Sequence, residues 1–165
     1  MVLSDDQVVS LFGDPTPYLT EDGGVVGAAW ESRILTPVTL PIPLHISGGG
    51  QARVIRCHKR IAHALAAALD LLYARGEWGL IKDYGGCYNW RTQRMAAHKR
   101  SRHSWGIAID INVADNPFMG TPQMPPAIVL AFKSAGFAWG GDFIHRPDGM
   151  HFEFADTARI VEPIA

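Results

Sequence analysis

The most informative stretch of the sequence is SRHSWGIAIDIN, which runs from Ser101 to Asn112. Its second half alternates with the period of two that is typical of a β-strand, and three isoleucines fall on one face. The opposite face carries Asp110. A buried carboxylate without a partner is costly, so this face is expected to be wet or bound to a cation. The stretch therefore predicts a strand over residues 107–112 with a functional face.

A second segment, DGMHFEF at residues 148–154, has the same two-sided character. His151 and Glu153 share one face, and two phenylalanines share the other. Together with residues 137–140, the segment predicts a closing β-hairpin. Glu153 could orient a neighbouring ligand or simply face solvent, and the pattern favours neither.

Joined, the two segments predict a metal site made of His103, Asp110 and His151. His103 precedes the first strand, so a loop can bring its imidazole beside Asp110. Two imidazoles and one carboxylate leave a fourth coordination position open, which is typical of a catalytic zinc site. The same ligand types also suit ferrous iron, so the set alone does not choose the metal.

Asp148 is the candidate catalytic base. A carboxylate beside such a site can take a proton from an attacking water and pass it to the leaving amine. The alternative is a turn residue, because Pro147, Asp148 and Gly149 form a good turn sequence. The position of His151 three residues later favours the catalytic interpretation.

The remaining sequence predicts an α+β domain with an antiparallel sheet backed by helices. Apolar residues at spacings of three and four predict one helix from Arg53 to Ala74 and a second from Pro125 to Ser134. Residues 86–91 follow a Gly-Gly turn and indicate a strand. Residues 1–50, rich in proline and glycine, predict irregular structure and short strands that wrap the core.

Composition supports one ordinary globular domain over residues 1–165. The chain is 47% hydrophobic and 19% charged. Its 15 Lys and Arg against 16 Asp and Glu give a net charge of −1, which argues against a nucleic-acid binder. We expect a monomer. We also expect no integral membrane contact, because no apolar run is long enough to cross a bilayer.

The compartment is predicted from two further features. The first residues are acidic where a secretory signal would carry Lys or Arg, so we expect synthesis in the cytoplasm without a signal peptide. The two cysteines, Cys57 and Cys87, do not make a disulfide framework and are expected to be reduced and partly buried.

The two segments resemble motifs of the zinc peptidases that include D-alanyl-D-alanine carboxypeptidases and L-alanyl-D-glutamate endopeptidases of phages and bacteria. Residues 101–110 resemble the family's Ser-x-His-x-x-Gly-x-Ala-x-Asp motif. Residues 139–154, WGGDFIHRPDGMHFEF, resemble its second metal-histidine motif. The resemblance spans roughly residues 84–154 and implies the hedgehog-type metallopeptidase fold.

Carried over residue by residue, the resemblance implies that His103, Asp110 and His151 bind zinc and that Asp148 is the acid/base. The family also places an arginine upstream, often directly after a tyrosine, to stabilise an oxyanion or hold a substrate carboxylate. Arg91 is the candidate here, although two residues separate it from the preceding tyrosine. Arg94 is the second choice.

The implied function is hydrolysis of the peptide stem of bacterial peptidoglycan. We favour an L-alanyl-D-glutamate endopeptidase of the phage endolysin type, which would act on the cell wall after release from the cytoplasm. The alternatives are a D-alanyl-D-alanine carboxypeptidase and a zinc-containing binding module that has lost catalysis. Asp148 discriminates against the last, because a dead module does not need the base beside a complete ligand set.

Overall fold

The computed structural model describes residues 2–94 and 96–161. Within these ranges the helices are Asp5–Phe12 (α1), Gly27–Ile34 (α2), Ala62–Ala74 (α3) and Pro126–Ser134 (α4). The strands are Leu35–His45 (β1), Gln51–His58 (β2), Tyr84–Gly86 (β3), Thr92–Gln93 (β4), Ala96–Arg100 (β5), Ala108–Ile111 (β6), Phe137–Trp139 (β7) and His151–Phe154 (β8). The fold is therefore α+β, as the sequence predicts.

A four-stranded antiparallel sheet with the order β3-β6-β8-β7 forms the centre of the fold. Strand β6 pairs with β8 so that Asp110 lies opposite His151. Strand β8 also pairs with β7, with Trp139 opposite Phe152. The predicted strand around Asp110 and the predicted closing hairpin are both confirmed, and their pairing joins the two sequence motifs.

One face of this sheet is closed by an apolar core. Its isoleucines, Ile107, Ile109 and Ile111, are at most 1% exposed. Helix α4 begins at Pro126 and packs against both α3 and β7, and its Phe132 stacks on Phe152 with ring centroids 4.6 Å apart. Each large apolar side chain buried in this way stabilises the fold by about 1.5–3 kcal/mol. This packing fixes β8, and with it His151, against the rest of the sheet.

The predicted helix from Arg53 to Ala74 is wrong over its first part. Residues 51–58 form β2, and the helix begins only at Ala62. The burial pattern shows why. Ile55 and Cys57, two residues apart, are buried, while Val54 beside them is exposed. Pairing with β1 decides the structure here, because tertiary contacts override a short helical spacing.

The N-terminal fifty residues are more regular than predicted. They contain α1, α2 and the eleven-residue β1. Helix α1 begins with a capping box in which the Ser4 side chain and the Gln7 side chain each accept from the other's backbone N–H. The register of β1 shifts between Thr39 and Leu44, where Pro41 and Pro43 would interrupt a ladder. β1 tolerates this because it lies in a sheet of two strands.

The predicted strand over residues 86–91 is wrong, because β3 ends at Gly86. The backbone groups of these residues bond elsewhere. Asn89 N–H donates to the carbonyl of His103, and Arg91 N–H donates to Ser104 Oγ. This segment therefore lines the metal-site loop instead of extending the sheet.

Cys57 and Cys87 are both free, and they are fully buried where the sequence predicts partial burial. Burial raises the pKa of the Cys57 thiol to about 12, so it is unreactive at neutral pH. None of the helices in residues 2–94 and 96–161 is long and apolar enough to cross a membrane. The single-domain organisation over residues 1–165 and the monomeric state stay predictions.

The buried His58 makes the stability of this fold sensitive to acid. Its Nε2–H donates to the Phe12 carbonyl at 3.0 Å, while Nδ1 accepts from Arg60 N–H at 3.1 Å. The second bond requires the neutral ring, because a protonated Nδ1 cannot accept. Burial, reinforced by the charges of Arg60 and Lys59, lowers the pKa of His58 from 6.5 to about 4.

The unfolded chain binds this proton more readily than the folded protein does. The contribution of His58 to the free energy of unfolding is therefore complete well above pH 6.5 and is lost as the pH falls towards 4. We expect His58 to contribute a loss of about 3 kcal/mol between pH 7 and pH 4. Urea unfolding of the wild type and of His58→Asn at both pH values measures it. The exposed His63 gives the control His63→Asn. Equal pH dependence in the wild type and His58→Asn would contradict this role.

Candidate metal centre

Three side chains converge at the end of the β6–β8 pair. Nε2 of His103 lies 3.2 Å from Oδ1 of Asp110 and 3.3 Å from Nδ1 of His151. Nδ1 of His151 lies 2.9 Å from the same Asp110 oxygen. None of the three residues is more than 9% exposed. The structure thus brings together the three residues that the sequence predicts as ligands.

Each imidazole is oriented by a partner on its far side. Nδ1 of His103 lies 2.8 Å from the Cys87 carbonyl, and a carbonyl can only accept, so Nδ1 carries the hydrogen. Nε2 of His151 lies 3.1 Å from Oε2 of Glu153, which calls for a hydrogen on Nε2. Nε2 of His103 and Nδ1 of His151 therefore carry no hydrogen. These two acceptor nitrogens face each other, with Asp110 beside them.

The donor set fits a zinc ion. Two ligands of a tetrahedral zinc, each about 2.0–2.1 Å from the metal, lie roughly 3.3 Å apart, close to the separations seen among His103, Asp110 and His151. Acceptors that face each other at this distance repel unless a cation lies between them. The carbonyl and the carboxylate behind the two imidazoles are the partners that metal-binding histidines usually have.

The electrostatics of the cluster favour added positive charge. Burial by itself would raise the pKa of Asp110, but His103 and His151 beside it hold that pKa well below its usual range. Burial would likewise lower the pKa of His151, yet its bonds to Asp110 and Glu153 raise it to about 10. A site that stabilises a proton this strongly also suits a divalent cation.

His103 is positioned by a tight turn before β6. Residues Arg102–Trp105 form a 3₁₀ turn that the Ser101 side chain caps by accepting from His103 N–H. The turn ends at Gly106, whose φ of 66° is left-handed. A Cβ at Gly106 would also meet the Leu35 side chain at 2.7 Å. Glycine is therefore required at this bend.

Arg91 reaches the cluster. Its Nη2 lies 3.9 Å from Oδ2 of Asp110, and its side chain is 30% exposed. Ser104 fixes this arginine, because its Oγ accepts from Arg91 N–H at 3.0 Å and lies 2.9 Å from the Arg91 carbonyl. Arg94 lies further out, where its guanidinium covers the Phe118 ring at 5.6 Å. The geometry favours Arg91 over Arg94 as the arginine beside the cluster.

Asp148 lies in the turn that leads into β8. Its backbone N–H donates to the Gly140 carbonyl at 2.9 Å, and its own carbonyl accepts from His151 N–H at 3.0 Å. Oδ1 of Asp148 is buried and has no hydrogen-bond partner among the residues that the structure describes. Burial raises the pKa of this carboxyl, an effect that the nearby His151 partly offsets.

Gly140 allows this turn to form. A Cβ at that position would lie 2.3 Å from the Asp148 carbonyl oxygen and 3.1 Å from the Cβ of His151. Only glycine leaves room for the turn to pack against β7. The sequence contains the residue but gives no signal of this contact, because it joins positions that meet only in the folded hairpin.

The cluster opens onto a cavity of about 550 Å³. Asp148 and His151 line it together with the side chains of the β4–β5 hairpin and of the loop before β8. Among the residues that the structure describes, five cationic side chains line the cavity: Arg91, Arg94, Lys99, Arg102 and Arg146. Acidic groups on the walls are fewer, so the cavity suits a ligand that carries carboxylates.

Sequence reasoning missed the groups that support the ligands. The Cys87 carbonyl is a backbone group that any residue could supply. Ser101 accepts from the backbone of His103, and Ser104 holds the backbone of Arg91. Glu153, for which two roles stood open, faces His151 and not solvent.

Residues 94–154 match a sequence model of the D-alanyl-D-alanine carboxypeptidase family. The match covers more than a third of the chain and includes His103, Asp110, His151 and Asp148. It begins three residues after Arg91. The match supports a zinc-dependent peptidase that acts on peptidoglycan. The α+β fold with antiparallel sheets is consistent with such a peptidase.

Proposed function

We propose that this protein is a zinc-dependent peptidase that cuts the peptide stem of peptidoglycan, as an L-alanyl-D-glutamate endopeptidase of the endolysin type. One observation carries the proposal: the cluster of His103, Asp110 and His151 opens onto a cavity whose wall presents Asp148. Three ligands leave a position for substrate or water, as in catalytic zinc sites.

Zinc held by the cluster would supply Lewis acidity, which polarises the scissile carbonyl and makes water a stronger nucleophile. Asp148 accepts the proton of the attacking water at its carboxylate and returns it to the amine nitrogen as the C–N bond breaks. Its buried Oδ1, which has no partner among the described residues, is free for this proton. Arg91 steadies the negative charge that develops on the carbonyl oxygen.

The cationic walls support an acidic peptide as the substrate. Stem peptides carry the carboxylates of D-glutamate and of their C-terminus, and each can pair with a guanidinium on the cavity wall. Arg91 and Arg94 flank β4 on either side along the chain, and Arg146 belongs to the loop before β8. Carboxylates bound on both sides would hold the scissile bond over the metal.

A D-alanyl-D-alanine carboxypeptidase is the second candidate, because the matched family carries that description. Purified muropeptides digested with zinc-loaded protein separate the two. An endopeptidase creates a new amino group on D-glutamate, whereas a carboxypeptidase releases free D-alanine, and mass spectrometry identifies both products. Intact muropeptides after exposure to protein that has bound zinc would favour a binding module instead.

Arg91 and Arg94 can be separated by kinetics. We expect Arg91→Ala to lower kcat/KM by on the order of 10²-fold, the usual loss of one donor to an oxyanion. Arg94→Ala should cost less than about tenfold, because an exposed cation contributes mainly to substrate attraction. Steady-state assays on one muropeptide measure both. A larger loss in Arg94→Ala would transfer the proposed role to Arg94.

A further inference from the structure

Arg102 is a buried cation directly before His103. It is only 8% exposed. Its Nη1 donates to Oδ1 of Asp5 at 2.8 Å, and its Nη2 donates to the Leu3 carbonyl at 2.6 Å. Its Nε lies 3.9 Å from Oε1 of Glu153. One guanidinium therefore joins the N-terminal segment to the centre of the sheet.

Glu153 connects Arg102 to the metal cluster. Its Oε1 faces Arg102, while its Oε2 accepts from Nε2 of His151 at 3.1 Å. The Glu153 side chain is 9% exposed, and Arg102 lies beside it at the same low exposure. A buried carboxylate needs a cation or several donors to remain ionised and in place.

We propose that Arg102 is a positioning residue for the metal centre and that the N-terminal segment Leu3–Asp5 supports it. Arg102 holds Glu153, Glu153 holds the imidazole of His151, and the ring presents Nδ1 to the metal. The inference rests on the proposed function only in that the cluster binds zinc.

The arrangement depends on the shape of the guanidinium. Its planar fork donates to Asp5 and Leu3 through two nitrogens and directs the third toward Glu153. A lysine ammonium at this position could keep the charge, but it could not serve all three acceptors from one plane. Removing Arg102 leaves Glu153 buried without its cation and frees the ring of His151 to turn.

Residues 2–5 also form part of the cavity wall. Their anchoring by Arg102 therefore shapes the substrate site as well as the metal site. A role confined to fastening the N-terminal segment predicts a different result, because the free energy of unfolding would fall while zinc affinity of the folded protein stayed unchanged.

Zinc affinity, measured by competition with a chromophoric chelator, tests the proposal without any substrate. We expect Arg102→Gln and Glu153→Gln each to weaken zinc binding by roughly 10- to 100-fold, as the loss of such supporting partners usually does. The double variant should lose little more than either single variant. The control is Arg56→Gln, which removes a surface arginine paired with Glu31 at 2.7 Å.

The outcomes are distinct. Folded Arg102→Gln with wild-type zinc affinity would overturn the proposal, as would fully additive losses in the double variant. If Arg102→Gln does not fold, Arg102→Lys replaces it: weaker zinc binding by at least about fivefold supports the proposal, and unchanged binding overturns it. A wild-type protein that binds no zinc would instead overturn the zinc assignment in the proposed function.

Discussion

Replacement of His103 by alanine is expected to abolish tight zinc binding and peptidase activity together. The substitution removes Nε2, which lies within 3.3 Å of the other two donor atoms. The binding free energy of zinc at a structural site with four protein ligands is about 10–16 kcal/mol, so one ligand accounts for about 3 kcal/mol. The affinity should therefore fall by at least about 100-fold, which isothermal titration or chelator competition can measure.

His63→Ala is the matched control for this experiment. His63 is exposed on α3, so its loss should leave zinc affinity and turnover unchanged. One equivalent of zinc bound by His103→Ala with wild-type affinity would mean that the metal binds elsewhere. Activity that survives in this variant without zinc would contradict a zinc mechanism altogether.

The central sheet could be predicted from the sequence because its strands carry their own pattern. The isoleucines of β6 alternate with Ala108 and Asp110, and the phenylalanines of β8 alternate with His151 and Glu153. Strand β2 could not be predicted in this way. Residues 53–58 have apolar residues at both helical and strand spacings, and only pairing with β1 selects the strand.

The ligands were predictable for a related reason. An aspartate on an otherwise apolar strand is conspicuous, and two histidines stand beside it in the paired motifs. Their supports were not predictable, because Arg102 meets Asp5 and Leu3 across nearly a hundred residues of sequence. The Cys87 carbonyl that orients His103 carries no side-chain signature at all. Long-range and backbone contacts leave no local pattern.

Asp148→Asn is expected to lower kcat by on the order of 10²- to 10⁴-fold, the usual contribution of a general base. The amide has nearly the size of the carboxylate but cannot accept a proton at neutral pH. The Asp148 carboxylate does not belong to the cluster of His103, Asp110 and His151. Zinc affinity should therefore stay within about threefold of the wild type, and single-turnover assays at saturating muropeptide isolate the chemical step.

Asp142→Asn is the control, because Asp142 lies in the same loop but is exposed and paired with Lys133. It should retain wild-type kcat. The contrast matters because Oδ1 of Asp148 is buried without a partner among the described residues, an arrangement that costs stability. A catalytic role explains that cost, so Asp148→Asn should unfold no more readily than the wild type even as it loses turnover. An Asp148→Asn protein that keeps more than about a tenth of wild-type kcat would show that another group takes the proton.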